Sequence, residues 1–192
     1  MRLNPLAPND MTPAQKALHE AMAPVVAEHL KGFVSKRGDG ALVGPFAPML
    51  HFLPFGQPAW DYTRALIEQA RLPKTVREVA ILVTGARFNS RYELYAHEHV
   101  AESTGLSPAV IATIAAGERP PELSREEAVA YDVASALAGG RQLAGSTYQA
   151  AIDAFGQDGV GELTYLIGGY CLVSVLLNAF DMSVPGSEEG LG

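Results

Sequence analysis

The sequence predicts an all-α protein, and three observations support that fold class. Signals that begin and end helices recur along the chain, namely Ser or Thr caps, Pro at first helical positions and Gly at helix ends. Between these signals, apolar residues recur at the spacing of a helix that buries one face. No segment alternates apolar and polar residues between hairpin turns, so we expect little or no β-sheet.

Length, charge and cysteine content narrow the class of protein. The chain has 192 residues, enough for one domain, and 48% of them are apolar, which is typical of a globular protein. The net charge of −7 disfavours nucleic acid as a partner, because an acidic surface repels phosphate. Cys171 is the single cysteine, so the chain has no internal disulfide and no CxxC pair. The first residues lack the apolar stretch of a signal peptide, and we expect a cytoplasmic protein.

Helix signals in the first part of the chain flank an irregular apolar segment. Thr12-Pro13-Ala14-Gln15 has the form of an N-terminal cap, and a helix is predicted over residues 12–33. Residues 41–58 contain four prolines among many large apolar side chains, which indicates an irregular segment folded onto the core. A further helix is predicted over about residues 59–70.

The second part of the chain predicts a succession of helices that ends in a long apolar one. They are expected over about residues 74–88, 90–104, 107–117, 124–139, 146–156 and 163–180. The last helix contains no charged residue and is flanked by Glu162 and Asp181. We interpret it as a helix buried on all sides rather than as a membrane span.

No linker divides the chain, so we predict a single domain over residues 1–192. Its core spans about residues 40–182, the helix over residues 12–33 precedes that core, and a frayed tail over residues 186–192 follows it. The helical pairs over residues 74–104 and 124–155 are similar in length and rhythm, which suggests an internal helical duplication.

One group of acid–base residues stands out. Glu93 and His97 are four residues apart, so on a helix their side chains lie one turn apart on the same face. A carboxylate beside an imidazole fixes its tautomer and stabilises the imidazolium form. Glu78, on the preceding helix, is a candidate to share or relay the proton. The spacing alone favours an exposed structural Glu–His pair over a functional one.

The sequence around these residues resembles a known superfamily. The segments Arg77-Glu78-x-Ala80-Ile81-Leu82 and Glu93-Leu94-x-x-His97-x-x-x-Ala101-x-x-x-Gly105-Leu106-Ser107 are similar to those of the carboxymuconolactone decarboxylase and alkyl hydroperoxidase D superfamily. The similarity extends upstream to Leu42-Val43-Gly44-Pro45-Phe46 and downstream to Tyr170, and it covers about residues 40–180. The resemblance implies an all-α, alkyl hydroperoxidase D-like helical bundle. It also implies a trimer or hexamer with sites near the subunit contacts.

Two branches of the superfamily differ at two of these positions. The peroxidase branch has a Glu, a CxxC pair and a His; the Glu and His correspond to Glu78 and His97, and the two cysteines to Ser90 and Glu93. Without those thiols, reduction of peroxide through a disulfide is excluded. The decarboxylase branch is more similar, because it has an element that matches Glu93-Leu94-x-x-His97. That branch uses no metal ion and no organic cofactor.

The functional hypothesis that follows is a cofactor-free acid–base enzyme resembling carboxymuconolactone decarboxylase, a lyase. It would decarboxylate a small lactone or carbonyl carboxylate, with His97 exchanging the proton, Glu93 orienting His97, and Glu78 stabilising its charge or shuttling the proton. Lactone hydrolysis, isomerisation or cyclisation by the same residues are alternatives. A non-catalytic oligomeric binding protein is a further alternative from a different class.

Three more residues are candidates for binding the substrate. Ser90 is either a hydrogen-bonding group in the pocket or the N-cap of its helix. His51 lies in the apolar segment and Tyr92 lies beside Glu93, and each is either a substrate contact or a packing residue. The sequence has no HxxxH or HExxH element, so we predict no metal ion. The expected partners are a small-molecule substrate and further copies of the chain, with no nucleic acid and no membrane.

Overall fold

The computed structural model describes residues 1–186, in which helices form every regular element. A short 3-10 turn at Pro8–Asp10 is followed by α1 (Pro13–His29), α2 (Phe46–His51), α3 (Leu53–Glu68), α4 (Lys74–Arg87), α5 (Arg91–Thr104), α6 (Pro108–Ala115), α7 (Arg125–Leu137) and α8 (Gly145–Ala179). Within residues 1–186, β-structure is limited to one isolated bridge between Lys36 and Leu42. The predicted all-α class is confirmed. The tail predicted to fray over residues 186–192 lies, apart from Gly186, outside the described residues.

Helix α4 lies at the centre of the fold. It packs against α5, α6, α7 and α8, and every residue from Glu78 to Gly85 is buried. Small side chains such as Ala80 let the surrounding helices approach from all directions. A polar residue on this stretch, such as Glu78, is therefore removed from water.

Helix α8 differs from its prediction, which was burial on all sides. One face, with Leu163 and Leu166, packs into the core against α4 and α7, whereas Tyr165, Leu172 and Val175 are exposed. Among the described residues, α8 is the one helix long and apolar enough to cross a membrane, and 44% of its most apolar window is buried in the fold. The packing of α8 against α4 and α7 is typical of a core helix. The predicted break near residue 156 is present, because Gly156 has a φ of +66° inside α8.

The N-terminal helices form a second layer with its own core. That core consists of large apolar side chains from α1, α2 and α3, together with Leu42, and includes Leu18, Met22, Phe46, Met49 and Trp60. The segment predicted to be irregular over residues 41–58 is mostly helical, with α2 over Phe46–His51 and α3 from Leu53 onwards. Pro54 falls in the first turn of α3, where a proline sacrifices no hydrogen bond, whereas Pro58 lies inside the helix. Helix α1 ends at His29, before the predicted residue 33.

Helices α2 and α3 meet at Gly56, where a side chain has no room. A β-carbon at this position would lie 1.8 Å from the carbonyl oxygen of Met49. The Gly56 amide also donates a hydrogen bond of 2.7 Å to the carbonyl of Phe52. Because backbone atoms cannot rotate away as a flexible side chain can, this contact requires glycine.

We expect Gly56→Ala to lower the free energy of unfolding by about 1–3 kcal/mol, because the added methyl group overpacks the contact. Gly161 on α8 is the matched control, since a β-carbon there meets nothing within 4 Å. Gly161→Ala should be neutral or stabilising by about 0.4–1 kcal/mol. Urea unfolding followed by circular dichroism measures both. A Gly56→Ala protein as stable as the parent would contradict the close approach of α2 and α3.

Candidate functional site

Helices α4 and α5 form a hairpin that brings the acid–base residues together. The connection Phe88-Asn89-Ser90 contains Asn89 with a φ of +53°, a left-handed conformation that Asn adopts more readily than most residues. Helix α5 then packs back along α4. As a result, Glu78 on α4 lies beside His97 on α5.

His97 lies between two carboxylates. Its Nδ1 atom is 2.8 Å from Oε2 of Glu78, and its Nε2 atom is 3.3 Å from Oε1 of Glu93. The exposed fractions are 7% for Glu78, 3% for Glu93 and 6% for His97. The structure therefore brings all three residues of the sequence-based hypothesis together, away from solvent.

The two carboxylates hold the imidazole unequally. The contact with Glu78 is a hydrogen bond, and because a carboxylate can only accept, Nδ1 of His97 carries the proton. The contact with Glu93 is longer, and Oε1 of Glu93 is buried without a hydrogen-bond partner. Glu78 therefore orients the ring, whereas Glu93 and Nε2 of His97 are free to meet another molecule.

Burial and neighbouring charges shift the protonation of this group. Burial, reinforced by repulsion from Glu78, outweighs the attraction of His97 and raises the pKa of Glu93 to about 7. Burial by itself lowers the pKa of His97, but Glu78 and Glu93 together raise it above its ordinary value. A proton is therefore exchanged near neutral pH, where general acids and bases are most effective.

Glu93 and His97 line a small pocket between α3, α5 and α8, with a volume of about 40 Å³. Its other walls are mostly apolar: Leu30, Phe33, Pro45, Phe46, Thr63, Leu66, Ile67, Tyr92, Ala96, Gly169, Tyr170 and Val173. The ring of Tyr170 stands edge-on to the imidazole, with 5.0 Å between ring centroids. Burial and the two carboxylates raise the pKa of Tyr170 well above its ordinary value, so it remains a neutral phenol.

The three predicted substrate-binding residues have different positions. Tyr92 lines the pocket, and its hydroxyl donates a hydrogen bond of 3.0 Å to the carbonyl of Val34. Ser90 is buried at the N-cap of α5, makes no capping bond, and lies outside the pocket lining. His51 is not brought to the pocket, because its Nε2 atom lies 2.8 Å from the carbonyl oxygen of Asn4 and ties α2 to the N-terminal segment.

Several pocket residues carry no signal in the sequence. Phe33, Phe46 and Gly169 come from separate parts of the chain, and an apolar pattern does not distinguish a pocket wall from a core. Tyr170 offers a partial signal, because a tyrosine in the buried stripe of an apolar helix needs a polar neighbour. The identity of that neighbour depends on how α8 packs against α5.

A larger groove of about 630 Å³ lies between the end of α3 and α8, without an acid–base pair. Its Glu162 already accepts hydrogen bonds from the backbone amides of Arg71 and Leu72, which makes it a structural carboxylate. Within residues 1–186, no group of three or more His, Cys, Asp or Glu residues is arranged to hold a metal ion. The absence of a metal from the function remains a prediction.

Comparison of the sequence with protein-family models and with curated protein sequences gives no match. Comparison of the structure gives matches along nearly the whole chain. An alkylhydroperoxidase AhpD core protein from Ralstonia eutropha JMP134, described as uncharacterized and peroxidase-related, is 14% identical with a TM-score of 0.72, and the match covers 96% of this chain and 92% of that one. Two structures of the debrominase Bmp8 also match, each at 11% identity. The structure without ligand has a TM-score of 0.74, and the match covers 97% of this chain and 94% of that one. The structure of a cysteine-to-alanine variant in complex with 2,3,4-tribromopyrrole has a TM-score of 0.73, and the match covers 98% of this chain and 94% of that one.

At these low identities the likeness is one of three-dimensional structure. It agrees with the superfamily that the sequence motifs resemble, and it confirms the predicted helical bundle. The chain has the alkylhydroperoxidase AhpD core fold.

Proposed function

We propose that the chain is a cofactor-free acid–base enzyme that moves a proton at a carbon atom of a small carbonyl or lactone compound. The observation that carries the proposal is the buried pair of Glu93 and His97, which lines an apolar pocket and is backed by Glu78. Burying ionisable groups costs on the order of several kcal/mol per ion before pairing. Ionisable groups with shifted pKa values concentrate at functional sites. The structural neighbours, described as an alkylhydroperoxidase core protein and a debrominase, also support the proposal that the chain is an enzyme.

The geometry supports a division of roles that differs from the sequence-based hypothesis. Glu78, rather than Glu93, holds Nδ1 of His97 and fixes its tautomer. In the proposed reaction the Glu93 carboxylate takes a proton from the carbon next to a carbonyl, and the C–H electron pair moves into that carbonyl. The Nε2–H of His97 stabilises the developing negative charge. Return of the proton to another carbon completes an isomerisation.

Decarboxylation is the second candidate, and the Glu93-Leu94-x-x-His97 element favours it through the resemblance to the decarboxylase branch. In that reaction the bond to the leaving CO₂ breaks, its electron pair enters the carbonyl, and the pair of Glu93 and His97 returns a proton to carbon. Hydrolysis of a lactone by an activated water would use the same residues. Release of CO₂ distinguishes decarboxylation from the other reactions, which keep every carbon.

Thiol chemistry is disfavoured at this site. Ser90 and Glu93 stand where the peroxidase branch has its cysteines. Cys171, the single thiol, does not line the pocket, and burial raises its pKa, which lowers the thiolate fraction. Binding of 2,3,4-tribromopyrrole by Bmp8 supports a small ring compound as a ligand of this fold, without supporting a shared reaction.

We also propose that the chain forms a homo-oligomer. The supporting observation is an exposed apolar strip on α3 and α8 with their flanking residue Phe52, which we call the α3–α8 strip. Its members are Phe52, Phe55, Tyr165, Leu172 and Val175. Phe52, Phe55 and Leu172 line one groove, Phe55 is 79% exposed, and exposed apolar surface of this kind marks protein contacts.

Exchange of carbon-bound hydrogen tests the proposed function even while the substrate is unidentified. In D₂O, the protein should accelerate loss of the proton next to the carbonyl for members of a panel of small lactones and ketones, followed by NMR. His97→Gln should slow this exchange by about 10²–10⁴-fold, the usual contribution of general acid–base catalysis. His99→Gln, on the exposed face of the same helix, is the matched control and should retain the rate. An active His97→Gln protein, or a folded parent that exchanges no member of the panel, would refute the proposal.

The charge state of Glu93 can be measured through stability. The pKa of Glu93 rises from an ordinary 4.5 to about 7 on folding. Between these two pH values the folded state binds more protons than the unfolded state. The contribution of Glu93 to the free energy of unfolding therefore falls as the pH rises from 4.5 to about 7. Relative to the parent, Glu93→Gln should gain about 2–4 kcal/mol of unfolding free energy between roughly pH 5 and pH 8. Glu102→Gln, on the exposed surface of α5, should show no such trend. Denaturant unfolding at a series of pH values provides the comparison, and parallel curves for parent and Glu93→Gln would contradict the raised pKa.

Substitution within the α3–α8 strip tests self-association. Phe55→Asp places a charge on the apolar surface, and we expect it to shift the protein to a smaller species in size-exclusion chromatography with light scattering. Glu68→Asp, elsewhere on α3, is the control and should leave the mass unchanged. A parent protein that is monomeric at high concentration would contradict the proposal.

A further inference from the structure

The pocket beside Glu93 has an unusual balance of charge. Of the residues that line it, only Glu93, His97 and two tyrosines are ionisable, and no lysine or arginine is among them. Above the pKa of Glu93, two carboxylates flank one imidazole, so the group carries a net negative charge even when His97 is protonated. Below that pKa the same group is neutral. At no point in this range does the group of Glu78, Glu93 and His97 carry excess positive charge.

Arg77 is the cation whose field reaches the site, and it is engaged elsewhere. Its charge acts to lower the pKa values of His97 and Tyr170, but it does not line the pocket. Its Nη2 atom donates a hydrogen bond of 2.8 Å to the carbonyl of Leu66, and its Nε atom lies 3.9 Å from Oε1 of Glu162. The guanidinium of Arg77 is therefore directed at Leu66 and Glu162 rather than into the pocket.

Two of the remaining polar groups of the pocket are already engaged. The hydroxyl of Thr63 donates to the carbonyl of Ala59, and that of Tyr92 donates to the carbonyl of Val34. Oε1 of Glu93, by contrast, is buried and lacks a hydrogen-bond partner. A ligand that brings a carboxylate here would lose its hydration and face the like charge of Glu93, and the charge of the His97 imidazolium is already balanced by Glu78 and Glu93. A ligand with a weakly acidic hydrogen would satisfy the free acceptor.

We infer that the pocket selects a small uncharged molecule, with an apolar ring or chain and one weakly acidic hydrogen that meets Glu93, and that it rejects carboxylates. The inference rests on the proposed acid–base function and specifies its substrate class. It favours isomerisation or another proton transfer on a neutral carbonyl compound. It disfavours decarboxylation, because a substrate that loses CO₂ enters as an anion.

A pair of probes of nearly equal shape tests this selection by binding alone. One is a five-membered lactone that carries a carboxylate, and the other is the same lactone with an acetyl group in its place. At about pH 8 we expect the acetyl lactone to bind the parent protein at least tenfold more tightly, measured by saturation-transfer NMR titration. Lowering the pH to about 6 neutralises Glu93 and should reduce the ratio severalfold, because repulsion is removed.

Variants separate the charge of Glu93 from other causes. Glu93→Gln should bind the carboxylate more tightly than the parent does at pH 8, so that the ratio falls towards one, whereas Glu102→Gln should leave the ratio unchanged. If Glu93→Gln fails to fold, the pH series on the parent remains decisive. Equal or tighter binding of the carboxylate by the parent at pH 8, or no binding of the acetyl lactone up to its solubility, would overturn the inference.

These outcomes are independent of the test of function. If the carboxylate binds well and His97→Gln still abolishes hydrogen exchange, the acid–base function stands and the neutral substrate class is refuted. If the acetyl lactone is selected but hydrogen exchange does not depend on His97, the pocket is a binding site for neutral molecules and the enzyme proposal fails.

Discussion

The hydrogen bond between Glu78 and His97 is the interaction on which the site depends. It joins α4 to α5 in the interior, at 2.8 Å, and it leaves only the other ring nitrogen to face Glu93 and the pocket. Without Glu78, the imidazole would lose the acceptor that fixes its tautomer, and Glu93 would lose a neighbour that raises its pKa. The bond therefore sets the geometry and the protonation of the site together.

This bond in turn requires the central position of α4. Because residues from Glu78 to Gly85 are buried on every side, the Glu78 carboxylate is shielded from water and its field acts strongly on His97. An exposed pair with the same spacing would be screened and would have nearly ordinary pKa values. The packing that stabilises the fold therefore also raises the pKa values of Glu93 and His97 above their ordinary values.

The sequence predicts the elements of this fold better than their mutual arrangement. Helix caps and apolar spacing locate most helices, and the four-residue spacing places Glu93 beside His97, because both signals are local. The contact with Glu78 is not local, because it depends on the turn at Asn89 that folds α5 back along α4. The position of His51 away from the pocket is unpredictable for the same reason, because its contact with Asn4 joins distant parts of the chain.

Ser90 and Glu93 illustrate how tertiary structure overrides a local signal. Ser-x-x-Glu at a helix start is the sequence of a capping box, yet neither capping bond forms here, and Glu93 turns to His97 instead. The position of Glu93 is one where the peroxidase branch of the resembling superfamily has a cysteine. A buried thiolate there would attack peroxide and pass through a disulfide, whereas a buried carboxylate with a pKa of about 7 can only take up and release a proton. A carboxylate in place of a thiol at this position is therefore consistent with the proposed proton transfer and not with redox chemistry through a disulfide.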